Sequence, residues 1–135
     1  MKELKLDAVT DNLPQVMSFV DEALEAADCP MKAQMQIDMA VEEICVNVSS
    51  YAYAPGVGPV TVKIGIADDP RRAIIVFEDQ GVPYDPLAKA DPDVTLSAEE
   101  RQVGGLGIFM VKKTMDDMSY VYENNSNILT LTKRL

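Results

Sequence analysis

The sequence predicts an α+β fold, a two-layer α/β sandwich whose helices pack on one face of a mixed, mostly antiparallel sheet. Two early runs with apolar residues every three or four positions read as amphipathic helices, and four later runs of apolar residues alternating with polar ones read as strands. Between Gly81 and Gly107 neither periodicity is sustained. A loop of that length inside a small domain is usually functional. At 135 residues and 47% apolar content, the chain is long enough for one domain, residues 1–135, to build a core without disulfides.

Glu3 to Val9 alternates loosely and fits an edge strand. Thr10, Asp11, Asn12 and Pro14 then signal a helix start. Leu13, Val16, Met17, Val20, Leu24 and Ala27 form the buried stripe of that first helix, which Asp28, Cys29 and Pro30 end. The second helix is expected from Met31 to Tyr51, with Ile37, Ala40, Val41, Ile44 and Val48 on its buried side and Glu43 and Asn47 at the edge. The Ala54-Pro55-Gly56 and Gly58-Pro59 segments stop it. Val60, Val62, Ile64 and Ile66 alternate with Thr61, Lys63 and Gly65 as a half-buried strand. Asp68, Asp69 and Pro70 turn the chain into a second strand, Ala73 to Glu78, forming an antiparallel hairpin. After the loop, Ile108 to Met115 has helical spacing. Ser119 to Glu123 and Ile128 to Lys133 close the chain as two strands joined through Asn124, Asn125 and Ser126.

Composition removes several classes of function. With no histidine in the chain, Ser-His-Asp hydrolysis, imidazole zinc sites and histidine autophosphorylation are excluded. Cys29 and Cys45 match no metal-ligand or redox spacing and read as small buried thiols. The formal charge of −10 opposes general binding to nucleic acid or to anionic membrane. It suits a basic protein partner, and equally a charge that keeps the domain soluble. The first residues alternate Lys and Glu instead of pairing a basic region with an apolar run, so the expectation is a cytoplasmic protein.

Three segments carry candidate chemistry. Glu43 and Asn47 in AVEEICVN are four residues apart and share one helix face. The carboxylate can take a hydroxyl proton, and the amide oxygen is a hard ligand suited to Mg²⁺. The pair also fits a solvated helix flank. The second segment, EDQGVPYDP, leaves the sheet at a strand end. There Asp79 could accept a hydrogen bond from an adenine amino group, and Gly81 lets backbone approach a flat base; a tight turn places Asp and Gly in the same way. In the third, Arg101, Gly104, Gly105 and Gly107 precede a helix and could cradle phosphate oxygens, Arg101 adding a bidentate contact. A hinge without phosphate contact uses the same glycines. A Rossmann turn is ruled out because Met110 stands where a third glycine or alanine belongs, and a P-loop because no G-K-S or G-K-T occurs.

The order of these segments resembles the superfamily of gyrase, heat-shock chaperone, histidine kinase and mismatch-repair ATPases, and within it the anti-sigma-factor serine kinases. EEICVNVSSYAY is similar to their N-box, EDQGVPYDP to their D-x-G-x-P-F-D-P segment, and ERQVGGLGIFMVKKTMDDMSY to their lid and following helix. The resemblance implies ATP and Mg²⁺ as cofactors, Glu43 as general base, Asn47 as Mg²⁺ ligand and Asp79 as the reader of adenine. It further implies that Gly81 admits the base, that Gly104, Gly105 and Gly107 lie in the lid, and that Arg101 is the lid arginine. A sigma factor and an anti-sigma-factor antagonist bearing the target serine are the implied partners, with neither nucleic acid nor membrane contacted directly. Exposed strands and helix faces would permit a homodimer. Three positions depart from the pattern: Tyr51 replaces a common His, Tyr84 replaces Phe, and Asn127-Ile128-Leu129 stands where a Gly-Thr pair helps bind adenine, with Thr130 the nearest substitute. A nucleotide-gated interaction module that transfers no phosphate would share every motif.

Overall fold

The computed structural model describes residues 1–87 and 105–135. Strand β1 (Lys2–Asp7) is followed by a single 3₁₀ turn (Thr10–Asn12), helix α1 (Leu13–Ala26) and helix α2 (Met31–Asn47), which runs on into a π-helical turn (Val48–Ala52). Strands β2 (Pro59–Ala67) and β3 (Arg72–Asp79), helix α3 (Gly105–Thr114), and strands β4 (Asp117–Glu123) and β5 (Ser126–Arg134) complete the order. This is the expected α+β succession. The sheet runs β1-β2-β3-β5-β4, and each of these pairings is antiparallel, so it is more regular than the mixed sheet anticipated.

Alternation fixes which strand residues meet the helices. Along β3, Ala73, Ile75, Phe77 and Asp79 are buried while Arg72, Ile74, Val76 and Glu78 are half-buried on the opposite face. Register then aligns the buried residues into cross-strand rows. Val62, Phe77, Leu129 and Tyr120 form one row, and Ile64, Ile75, Leu131 and Met118 the next. Val16, Val20 and Leu24 of α1 and Ile37, Val41 and Ile44 of α2 close over them, each at most 2% exposed, so the core lies between one sheet face and the helices. Burying a side chain of this kind contributes about 1.5–3 kcal/mol.

Local chemistry sets the ends of these elements. α1 stops in a Schellman arrangement, with Cys29 N–H donating to Leu24 O and Asp28 N–H to Glu25 O, both at 3.0 Å, and with Asp28 at φ 54°. The β4–β5 turn uses Asn124 and Asn125 at φ 53° and 60°, the left-handed pair that a two-residue hairpin loop requires. Cys29 and Cys45 are half-buried against the core, and burial pushes the Cys45 thiol up to about 12. Among the described residues no helix is long and apolar enough to cross a membrane.

Candidate functional site

The buried stripe of α2 ends in a polar residue. Asn47 follows Ile44 by three positions, and it is only 9% exposed. Its Nδ2 donates to the carbonyl of Glu43 at 2.8 Å and to Glu43 Oε1 at 3.1 Å. The amide nitrogen is therefore committed to Glu43, which turns the amide oxygen to the other side, the orientation a hard cation ligand needs.

β3 ends in a polar residue by the same logic. Asp79 is the last of its core-facing series and is 5% exposed. Its Oδ1 accepts from Gly81 N–H at 2.9 Å and from Asn127 Nδ2 at 3.0 Å. Gly81 in turn passes so close to the end of the π-helical turn that a Cβ there would stand 2.2 Å from Ala52 O. Val82 N–H donates to that same oxygen at 2.9 Å, tying the segment after β3 to the end of the π-helical turn that follows α2.

These ends enclose one cavity. Asn47 and Ile44 from α2, Asp79 and Phe77 from β3, Ile108 from α3, and Asn127 and Leu129 from β5 all line it, with Tyr51 and Tyr84 beside them. The Tyr51 and Tyr84 rings stack with centroids 6.4 Å apart. The lining is mostly apolar, its polar groups being the two amides, the carboxylate and the tyrosine hydroxyls, which is the character of a small-molecule site with a few orienting polar groups. Tyr120, another lining residue, donates its hydroxyl to Asn127 Oδ1. Burial pushes that hydroxyl above its ordinary value, Asp85 and Asp79 adding to the effect, so it stays protonated as a donor.

Glu43 faces a different space. It lines a cleft between α2 and α3 with Met39, Gly107, Met110, Val111 and Thr114, and it connects to the cavity through Asn47. Gly107 lies in the first turns of α3 directly against the Glu43 carboxylate, and Gly105 opens that helix. Arg101 and Gly104 fall outside the described residues. Thr130 does not line the cavity: it follows Leu129 in the β5 alternation and so points to the opposite face of the sheet. Asn127, a residue the sequence reading treated only as a departure, is the one that reaches Asp79. The alternation Asn127-Leu129-Leu131 was the signal that could have found it, since it carries Asn127 onto the buried face.

The sequence matches the family of histidine kinase-like ATPase domains over residues 6–133. It is 30% identical over 95 residues to the serine-protein kinase RsbW of Bacillus cereus (strain B4264), an alignment covering 67% of this chain and 58% of that protein. It is also 27% identical over 101 residues to the serine/threonine-protein kinase BtrW of Bordetella bronchiseptica, covering 75% and 70% of the two chains. The chain thus spans less than two thirds of the length of the RsbW relatives. Among solved structures, the RsbU and RsbW domains of a Mycobacterium tuberculosis protein superpose with a TM-score of 0.67 at 18% identity, over all of this chain and 33% of that one. A chain of the SiaB-SiaC complex from Pseudomonas aeruginosa gives 0.60 at 14% identity, over 98% and 89%. These two likenesses concern the fold. The sequence relatives support the resemblance to anti-sigma-factor kinases read from the motifs.

Proposed function

The chain belongs to the family of histidine kinase-like ATPase domains, and from that premise we propose that it binds ATP with Mg²⁺ and phosphorylates a serine or threonine of an anti-sigma-factor antagonist. The observation that carries this reading is that a buried carboxylate, Asp79, and a helical amide, Asn47, line one and the same cavity. The Asp79 oxygen that no described residue engages would accept from the adenine amino group. Gly81, whose absent Cβ faces Ala52 O instead of the cavity, would serve by placing its N–H on the other oxygen of that carboxylate.

Asn47 would hold the metal through its amide oxygen, because its nitrogen is already spent on Glu43. Among the described residues no cluster of three or more acidic, His or Cys side chains offers an alternative metal site. When bound, the ion neutralises charge on the phosphate oxygens. Glu43 is the proposed general base. The acceptor hydroxyl oxygen forms a bond to the γ-phosphorus as the bond from that phosphorus to the β,γ-bridging oxygen breaks. ADP leaves with that electron pair, and the hydroxyl proton passes to the Glu43 carboxylate. Gly105 and Gly107 at the start of α3, with Gly104 and Arg101 before them, would face the phosphates, Arg101 as a bidentate contact. The sigma factor is the second proposed partner, with the domain working in the cytoplasm and a homodimer as its assembly.

A second reading is favoured by one feature: the Glu43 carboxylate opens on the α2–α3 cleft, away from the cavity. In that reading the domain is a nucleotide-gated interaction module without phosphotransfer. The first test is a calorimetric Mg-ATP titration of wild type beside Asp79→Asn. Saturable binding weakened about tenfold to a hundredfold by the substitution, the loss of one charge-assisted hydrogen bond, supports the pocket. No heat with either protein removes it. Transfer of γ-phosphate to the antagonist then separates the kinase from the module.

A further inference from the structure

We propose that Asn127 is the positioning residue that sets base selectivity, by locking the carboxylate of Asp79 so that only one of its oxygens is presented to the ligand. The inference rests on the reading of the cavity as a purine nucleotide site and goes beyond it by naming a residue of β5 that decides which purine is accepted.

The register of the sheet explains the contact. Asp79 and Asn127 are direct partners across the β3–β5 ladder, on the buried face, where opposed Cβ atoms lie about 4.5–5.5 Å apart. Asn127 is 6% exposed, so each of its polar atoms needs a partner. Each has one. Its two amide hydrogens go to Asp79 Oδ1 at 3.0 Å and Val82 O at 2.9 Å. Its Oδ1 accepts from Tyr84 N–H at 3.1 Å and from the Tyr120 hydroxyl. A flipped amide would set oxygen against the Asp79 carboxylate and NH₂ against the Tyr84 N–H, so this network admits one orientation.

The consequence falls on Asp79. With Oδ1 engaged by Gly81 N–H and Asn127 Nδ2, the carboxylate cannot rotate, and the remaining oxygen is offered as a pure acceptor. An acceptor in that place pairs with a 6-amino group and repels a 6-carbonyl. Adenine carries the first and hypoxanthine the second. Asn127 also joins β4, β5 and the segment after β3, which makes the acceptor part of a rigid frame instead of a mobile side chain.

The experiment measures Kd of ADP and of IDP, both with Mg²⁺, for wild type, Asn127→Ala and the similarly shaped Asn127→Leu. Wild type is expected to prefer ADP by about 10- to 150-fold, the range of one charge-assisted hydrogen bond. Both variants are expected to bring the two Kd values within about threefold of each other. A purely structural role would weaken both ligands alike and leave the ratio unchanged, which would overturn the proposal. Asn127→Leu keeps the side-chain shape without its amide, and without a second carboxylate against Asp79, if the alanine variant fails to fold. The wild type provides a further check: the Asn127 side-chain NH₂ resonances should shift more with ADP than with IDP, and equal shifts count against the idea. Wild type that binds neither nucleotide sinks the nucleotide-site reading itself, whereas selective wild type with equally selective variants sinks only the role of Asn127.

Discussion

The carboxylate of Glu43 and the backbone of Gly107 touch: a Cβ built on Gly107 would stand 1.9 Å from Glu43 Oε1 and 2.0 Å from its Cδ. Glycine at this position is thus what lets α3 lie over the proposed base. Because the intruding atoms belong to the far end of a flexible side chain, Gly107→Ala displaces Glu43 more than it harms the fold. The expected result is γ-phosphate transfer reduced by about tenfold or more with little change in Tm, measured beside wild type in one transfer assay.

Removing the base itself is a sharper test. Glu43→Gln preserves shape and the hydrogen bond to Asn47 but accepts no proton. Transfer to the antagonist should fall about 10²- to 10⁴-fold while ADP affinity stays within a few-fold of wild type. Undiminished transfer would take Glu43 out of the mechanism and leave it a helix flank.

Asn47 reports on the metal. Asn47→Ala removes the amide oxygen and should weaken Mg-ATP binding by about tenfold to a hundredfold. Stripping the metal with EDTA should weaken wild type to a similar degree and the variant much less. A variant whose binding still depends on Mg²⁺ as strongly as wild type would mean that Asn47 is no ligand.

Gly81 faces backbone, which cannot swing aside as a side chain can. Ala52 O, 2.2 Å from the would-be Cβ, is already held as the acceptor of Val82 N–H. Gly81→Ala should cost about 1–3 kcal/mol, seen as a lower urea midpoint with an unchanged slope. It should also weaken nucleotide binding, because the displaced segment carries the walls of the cavity.

A pH dependence arises away from the site. Asp38 of α2 is pushed from 3.8 up to about 7, first by burial and then by the hydrogen bond and charge of Asp21 and by Glu25 on the facing side of α1. Its Oδ1 has no hydrogen-bond partner among the described residues. Since the folded state keeps a proton that the unfolded chain releases, stability contributed here is present at low pH and lost as pH rises toward about 7. Asp38→Asn should flatten that slope and raise Tm at pH 8 by about 2–4 °C, a modest gain because solvent screens part of the repulsion. Identical pH profiles for variant and wild type would refute this account.

Much of the molecule was readable along the chain, because spacing within one helix or strand is a local property. The i to i+4 step that stacks Asn47 on Glu43, the alternation that buries Phe77 and Asp79, and the Asp-x-Gly turn at Gly81 all follow from the geometry of single elements. Element ends were less sharp. The second helix was expected to reach Tyr51, whereas α2 ends at Asn47 and the remaining residues form a π-helical turn that ends at Ala52.

What residue order determined about this protein is its succession of helices and strands and the polar residues that each delivers to a buried face. What only tertiary structure decided is which of those residues meet. Asp79 and Asn127 are 48 positions apart, and their contact exists because β3 pairs with β5 in one register; a shift of one residue would send Asn127 to the face occupied by Thr130. Glu43 likewise opens on a cleft with α3 because two helices pack there, and packing between distant segments depends on the closure of the whole chain, which no local spacing encodes.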